Sequence, residues 1–111
     1  GMRLNYITQG DIIIYYPEGR MDLANSLKTE AKLNEKIQAG FLKMVFDLEN
    51  LECLSSSGLR VFIALVRKMK EKNGRVVFCS LSSGVKNVIN MTRLDDVFEI
   101  YGSRTEALNS F

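Results

Sequence analysis

The sequence predicts an α/β fold: a mostly parallel, mixed sheet of about five strands with an N-terminal antiparallel hairpin, packed with about four helices. Three observations predict it. The runs Lys43-Met-Val-Phe-Asp-Leu48 and Arg75-Val-Val-Phe-Cys-Ser-Leu81 carry continuous apolar sections, as strands covered by helices do. Between and after them, apolar residues recur with the period of a helix. The connections are short and hold no linker or internal repeat, so the element order reads ββαβαβαβα. At 111 residues the chain suits one domain, 2–111, and Gly1 ahead of Met2 reads as an expression-tag remnant.

Each element has its own signal. Leu4 to Thr8 and Asp11 to Tyr16 form the expected hairpin through Gln9-Gly10-Asp11, the second run being β-branched and aromatic and closed by Pro17-Glu-Gly19. From Asp22 the pattern turns helical. Asp22 or Asn25 can cap this helix, Leu23, Leu27 and Ala31 recur at four-residue spacing as its expected apolar side, Ile37 continues that side, and Gly40 stops it. After the Lys43 strand, Ser55 or Ser56 can cap a helix whose stripe is Leu59, Phe62, Ile63, Val66 and Met69 and which ends at Asn73-Gly74. After the Arg75 strand, Ser82 or Ser83 can cap a third helix in which Val85, Val88 and Ile89 share a face. Leu94-Asp-Asp96 then turns into a short strand, Val97 to Tyr101, and Ser103-Arg-Thr-Glu106 has the form of a capping box for a final helix.

Composition narrows the function. Hydrophobic residues at 46% and charged residues at 25% make a chain that folds. A net charge of +2 with the signs interspersed forms no basic stripe, so direct nucleic-acid binding is not expected; Ser83 to Val97 could pass for a helix-turn-helix but holds only Lys86 and Arg93. No apolar stretch approaches the ~20 residues of a membrane span and no signal core follows the N-terminus, so a cytoplasmic location is expected. Cys53 and Cys79 sit in apolar runs without metal-ligand spacing.

The chain has no histidine, which removes the Ser-His-Asp triad and the usual transition-metal sites. It also lacks a G-x-S-x-G elbow, a phosphate loop and a dinucleotide fingerprint. No enzyme activity and no cofactor are expected. What remains is the stretch from Asp47 to Leu59, D-L-E-N-L-E-C-L-S-S-S-G-L, which leads from a strand into a helix. One of its serines can serve as a cap worth ~1 kcal/mol. A hydroxyl there can equally take a phosphate, about −1.5 to −2 charges beside a helix N-terminus that tolerates them.

Val45-Phe-Asp-Leu48, Leu51 and Ser55-Ser56-Ser57-Gly58-Leu59 resemble the strand, loop and D-S-S-G-L motif of the STAS domain of bacterial anti-sigma factor antagonists. Gly19-Arg-Met-Asp22 is similar to that family's G-x-[LIF]-D, and Val85 to Leu94 to its V-x-x-[LI]-x-x-[ST]-[GR]-L. The resemblance implies a single STAS-like domain without enzymatic activity. It would bind an anti-sigma factor, itself often a serine kinase, and so release a sigma factor; phosphorylation of the motif serine would end the contact and a phosphatase would restore it. Residue for residue that serine is Ser56. Asp22, Ser55, Ser57 and Gly58 complete the implied partner-binding surface, and Arg60 adjoins it. One position departs from the motif: Ser55 stands where the family has an aspartate. The alternatives are a STAS interaction module that is not phosphorylated, in a larger stress-signalling or transporter-associated complex, and a STAS domain binding a small ligand or lipid.

Overall fold

The computed structural model describes residues 1–111. Its strands are β1 (Met2–Arg3), β2 (Tyr6–Gln9), β3 (Ile12–Tyr15), β4 (Glu18–Met21), β5 (Lys43–Asp47), β6 (Leu51–Leu54), β7 (Arg75–Cys79) and β8 (Glu99–Tyr101). The helices are α1 (Leu23–Gln38), α2 (Ser56–Glu71), α3 (Ser83–Met91) and α4 (Arg104–Asn109). The main sheet has the order β2-β3-β5-β7-β8, antiparallel between β2 and β3 and parallel elsewhere, as expected. Gly10 turns the hairpin with φ of +61°, a backbone conformation suited to glycine in a two-residue loop.

The core follows from strand register. Tyr15 pairs with Phe46 and Phe46 with Phe78, so their rings stand abreast on one face of the sheet, with centroids 4.8 and 5.5 Å apart. Phe98 extends the row and Phe62 of α2 meets Phe46 and Phe78 edge-on at 5.2 Å. Helices α1, α2 and α3 cover this face through Leu33, Phe62, Leu65, Val85 and their neighbours. Only α4 covers the other face, seating Ala107 on Ile14, Val45 and Val77. An ion pair from Arg104 Nε to Asp47 Oδ2 at 2.9 Å fastens it.

A second sheet, β1-β4-β6, was not expected. Its strands, such as Glu-Gly-Arg-Met and Leu-Glu-Cys-Leu, are too short to show a pattern, yet β4 and β6 pair in parallel and lead straight into α1 and α2. The last strand is also shorter than expected. Leu94–Asp96 forms a 3₁₀ turn before it, entered through Arg93 at φ +59°.

One expectation is overturned. The buried side of α1 is Ser26, Thr29, Leu33 and Ile37, while Leu23 and Leu27 are each 76% exposed and Ala31 also faces solvent. The buried side is centred near Leu33; Leu23 lies about 80° and Leu27 about 120° from it around the helix, outside the strip that meets the sheet. The sheet takes Leu33 and Ile37, which turns the N-terminal leucines outward. No helix is long and apolar enough to cross a membrane.

Candidate functional site

The site is built where β4 and β6 end together. Met21 pairs with Leu54, and the Ser55 N–H donates to the Met21 carbonyl at 2.9 Å. The next residue on each strand, Asp22 and Ser55, therefore stands beside the other, and each caps the helix that follows. Asp22 Oδ1 accepts the Asn25 N–H at 3.1 Å and the Asn25 side chain accepts the Asp22 N–H at 3.0 Å, a reciprocal capping box. Ser55 Oγ accepts the Gly58 N–H at 3.2 Å and shares a hydrogen bond with Ser57 Oγ at 2.8 Å.

This arrangement sorts the three serines. Ser55 is the cap and Ser57 is tied to it, so both are half-buried. Ser56, the first helical residue, is exposed and its hydroxyl makes no hydrogen bond within the chain. Arg60, one turn further along α2, is also exposed. Gly58 lies buried under the loop: a Cβ there would stand 2.8 Å from both Leu54 Cδ1 and Met21 Cγ. Its role is to let α2 start directly on the ends of β4 and β6. Asp22, Ser55, Ser56, Ser57 and Arg60 thus come together at the surface, and Gly58 supports them from below.

The electrostatics are simple. Two helix N-termini converge here, and neither first turn holds an acidic residue. Their unpaired N–H groups make the edge positive, with Asp22 as the cap carboxylate between them. No base stands ready to activate Ser56, because the chain has no histidine and Asp22 is engaged in capping. Cys79 is no substitute nucleophile: burial, aided by the nearby Asp47 carboxylate, pushes its thiol up to about 11. No group of three or more His, Cys, Asp or Glu side chains is arranged to hold a metal ion.

Concavities near the serines are small. The cleft between α1 and α2, walled by Glu30, Leu33, Val61 and Lys68, measures about 210 Å³, below the usual size of a ligand pocket. The largest hollow, about 830 Å³, is lined by Arg3, Glu18, Glu49 and Glu52 with Met2 as its one apolar residue. Reasoning from sequence missed the surface that Leu23 and Leu27 add beside the caps. Their four-residue spacing is equally that of a core stripe, so the sequence alone does not mark them as surface.

Comparison with known proteins gives a consistent result. A family model described as the STAS domain matches residues 3–107. BtrV of Bordetella bronchiseptica, named as a candidate anti-sigma factor antagonist, is 28% identical over 110 residues, 99% of this chain and 95% of that protein. The crystal structure of an anti-sigma factor antagonist from Mycobacterium paratuberculosis superposes with a TM-score of 0.89 at 20% identity, covering 99% and 93% of the two chains. The Bacillus cell fate determinant SpoIIAA in its phosphorylated form gives 0.75 at 18% identity, covering 99% and 98%. The paired caps, the serine turn and a family match spanning nearly every element lead to one statement: the chain belongs to the STAS domain family.

Proposed function

We propose that the chain is an anti-sigma factor antagonist, a binding protein and not an enzyme, whose hold on an anti-sigma factor is set by phosphate on Ser56. One observation carries this reading: of three adjacent serines, only Ser56 presents a free hydroxyl to solvent. The name of the Bordetella relative and the phosphorylated form of SpoIIAA lend it support.

In this cycle the anti-sigma factor is itself a serine kinase. It supplies the base that takes the Ser56 proton and passes the terminal phosphoryl group of ATP to Ser56 Oγ. The product carries about −1.5 to −2 added charges, which the N–H groups opening α2 accept without unfolding the chain. A partner surface shaped for a neutral serine then faces repulsion and a desolvation cost. A loss of ~3 kcal/mol weakens binding more than a hundredfold. A phosphatase removes the group, and the chain again sequesters the anti-sigma factor and frees its sigma factor. Such exchange takes place in the cytoplasm, where the sigma factor engages RNA polymerase.

The test is incubation of the chain with ATP and cell extract, followed by intact-mass measurement and site mapping. One phosphate is expected, on Ser56, absent in Ser56→Ala, and Ser56→Asp should abolish the complex with the kinase. A phosphate mapped elsewhere, or a complex indifferent to Ser56→Asp, ends the reading. Ser55 in the position of the motif aspartate favours a second reading, a constitutive module of a stress-signalling or transporter-associated complex. That reading expects a stable complex and no phosphate.

A further inference from the structure

We propose that the N-terminal half of the groove between α1 and α2 is a docking strip for an acidic amphipathic helix of the partner, with Leu23 and Leu27 as its apolar anchors. The inference rests on the reading of the chain as an anti-sigma factor antagonist and names the chemistry of the partner surface.

Leu23, Leu27, Glu30 and Asn34 fall at i, i+4, i+7 and i+11, one stripe along α1. The lower half of that stripe is covered. Glu30 and Asn34 line the cleft against Val61, Ala64 and Lys68 of α2, and Lys68 Nζ donates to Asn34 Oδ1 at 3.0 Å. The two helices run parallel from adjacent caps, and the Asn34–Lys68 bond sets their register, so the α2 positions one and two turns before Ala64 are Val61 and Ser57, with the exposed Arg60 next to Val61. Ser57 is too small to cover a leucine. The groove therefore opens toward its N-terminal end, with two leucines 76% exposed on one wall and the serine turn on the other.

Charge selects the occupant. Arg20, Lys28 and Arg60 are exposed around the leucines and take part in none of the chain's salt bridges. Of the two carboxylates on or beside the stripe, Asp22 is engaged in its capping box, and Glu30 stands at the covered end, lining the same cleft as Lys68. An apolar stripe inside a cationic rim fits a helix that carries leucine-sized side chains among aspartates and glutamates. A second copy of the chain fits poorly, since a two-fold contact would set the three cations against their own equivalents. A phosphate on Ser56 would stand at the edge of this strip and repel the same acidic helix.

The test uses the full chain labelled with ¹⁵N and a synthetic amphipathic helix with leucine at i, i+4 and i+7 among glutamates; the same peptide with lysines in place of the glutamates is the control. Saturable binding of the acidic peptide alone, with shifts centred on Leu23, Leu27 and Arg60, is expected. Leu27→Asp should weaken it about tenfold or more without changing the melting temperature, because the side chain is exposed. Failure of the acidic peptide to bind, equal binding of both peptides, or indifference to Leu27→Asp overturns the proposal. So does Leu27-dependent binding to phosphatidylglycerol vesicles or Leu27-dependent self-association in place of peptide binding. If Leu27→Asp abolishes binding and Ser56→Asp does not, the docking strip stands and the phosphate switch fails. If only Ser56→Asp acts, the switch stands and the strip fails.

Discussion

At the scale of single residues the serine turn divides its labour. Ser55 holds the α2 N-terminus by accepting the Gly58 N–H, whereas Ser56 holds nothing. Ser55→Ala should therefore cost about 1 kcal/mol, read as a lower urea midpoint, and Ser56→Ala should stay within about 0.5 kcal/mol of the parent. The reverse order would make Ser56 the cap. Ser55→Asp should preserve the cap and leave the urea midpoint within about 0.5 kcal/mol of the parent, since aspartate serves there as well as serine. That a serine caps this helix was legible in the sequence. Which serine does so was not, because Ser55 and Ser56 are chemically identical and the choice depends on where β6 releases the chain, fixed by the bond from Ser55 to Met21.

At the scale of elements, the site depends on two helices beginning at the same level, and Gly58 makes that possible. Its missing Cβ lets the first turn of α2 lie on Leu54 and Met21. Gly58→Ala should overpack this contact and cost about 1–3 kcal/mol, less if the flexible Met21 side chain moves aside. Amide exchange should then quicken first at residues 55–59, and loss confined to distant strands would contradict the close-packing role. Helix positions were well marked in the sequence by caps and by the glycine or asparagine stops. The rotation of α1 was not. Ile37 lies about 40° around the helix from both Leu23 and Leu33, so it continues either stripe, and only the sheet decides between them. The strands β4 and β6 escaped notice for a related reason: four-residue strands with exposed glutamate and arginine gain their identity from pairing, not from periodicity.

At the scale of the whole molecule, the absence of histidine bears on how the protein can be controlled. Histidine is the side chain whose ordinary pKa falls between pH 5 and 8, and the chain has none. The groups with shifted values lie outside that range. Arg75 holds the Glu99 carboxyl below the usual range, and a partial acid-side loss follows: the stabilisation is present above the unfolded value near ~4.3 and disappears as pH falls through the lower folded value. Since Arg75 and Glu99 are both partly exposed, the effect should be small. On the alkaline side, burial raises both the Tyr15 hydroxyl, which lies in the core without a hydrogen-bond partner, and the Cys79 thiol. Their protonated forms are favoured by folding, so that stability is complete below the unfolded values of roughly 8.5 and 10 and declines as pH rises past them. Urea midpoints measured from pH 3 to 11 should therefore show a plateau from about pH 5 to 8, with falls at both ends. Tyr15→Phe should soften the alkaline fall, and should raise the plateau because it removes an unpaired buried hydroxyl. A midpoint that moves within the plateau would mean that protons can work the fold on their own.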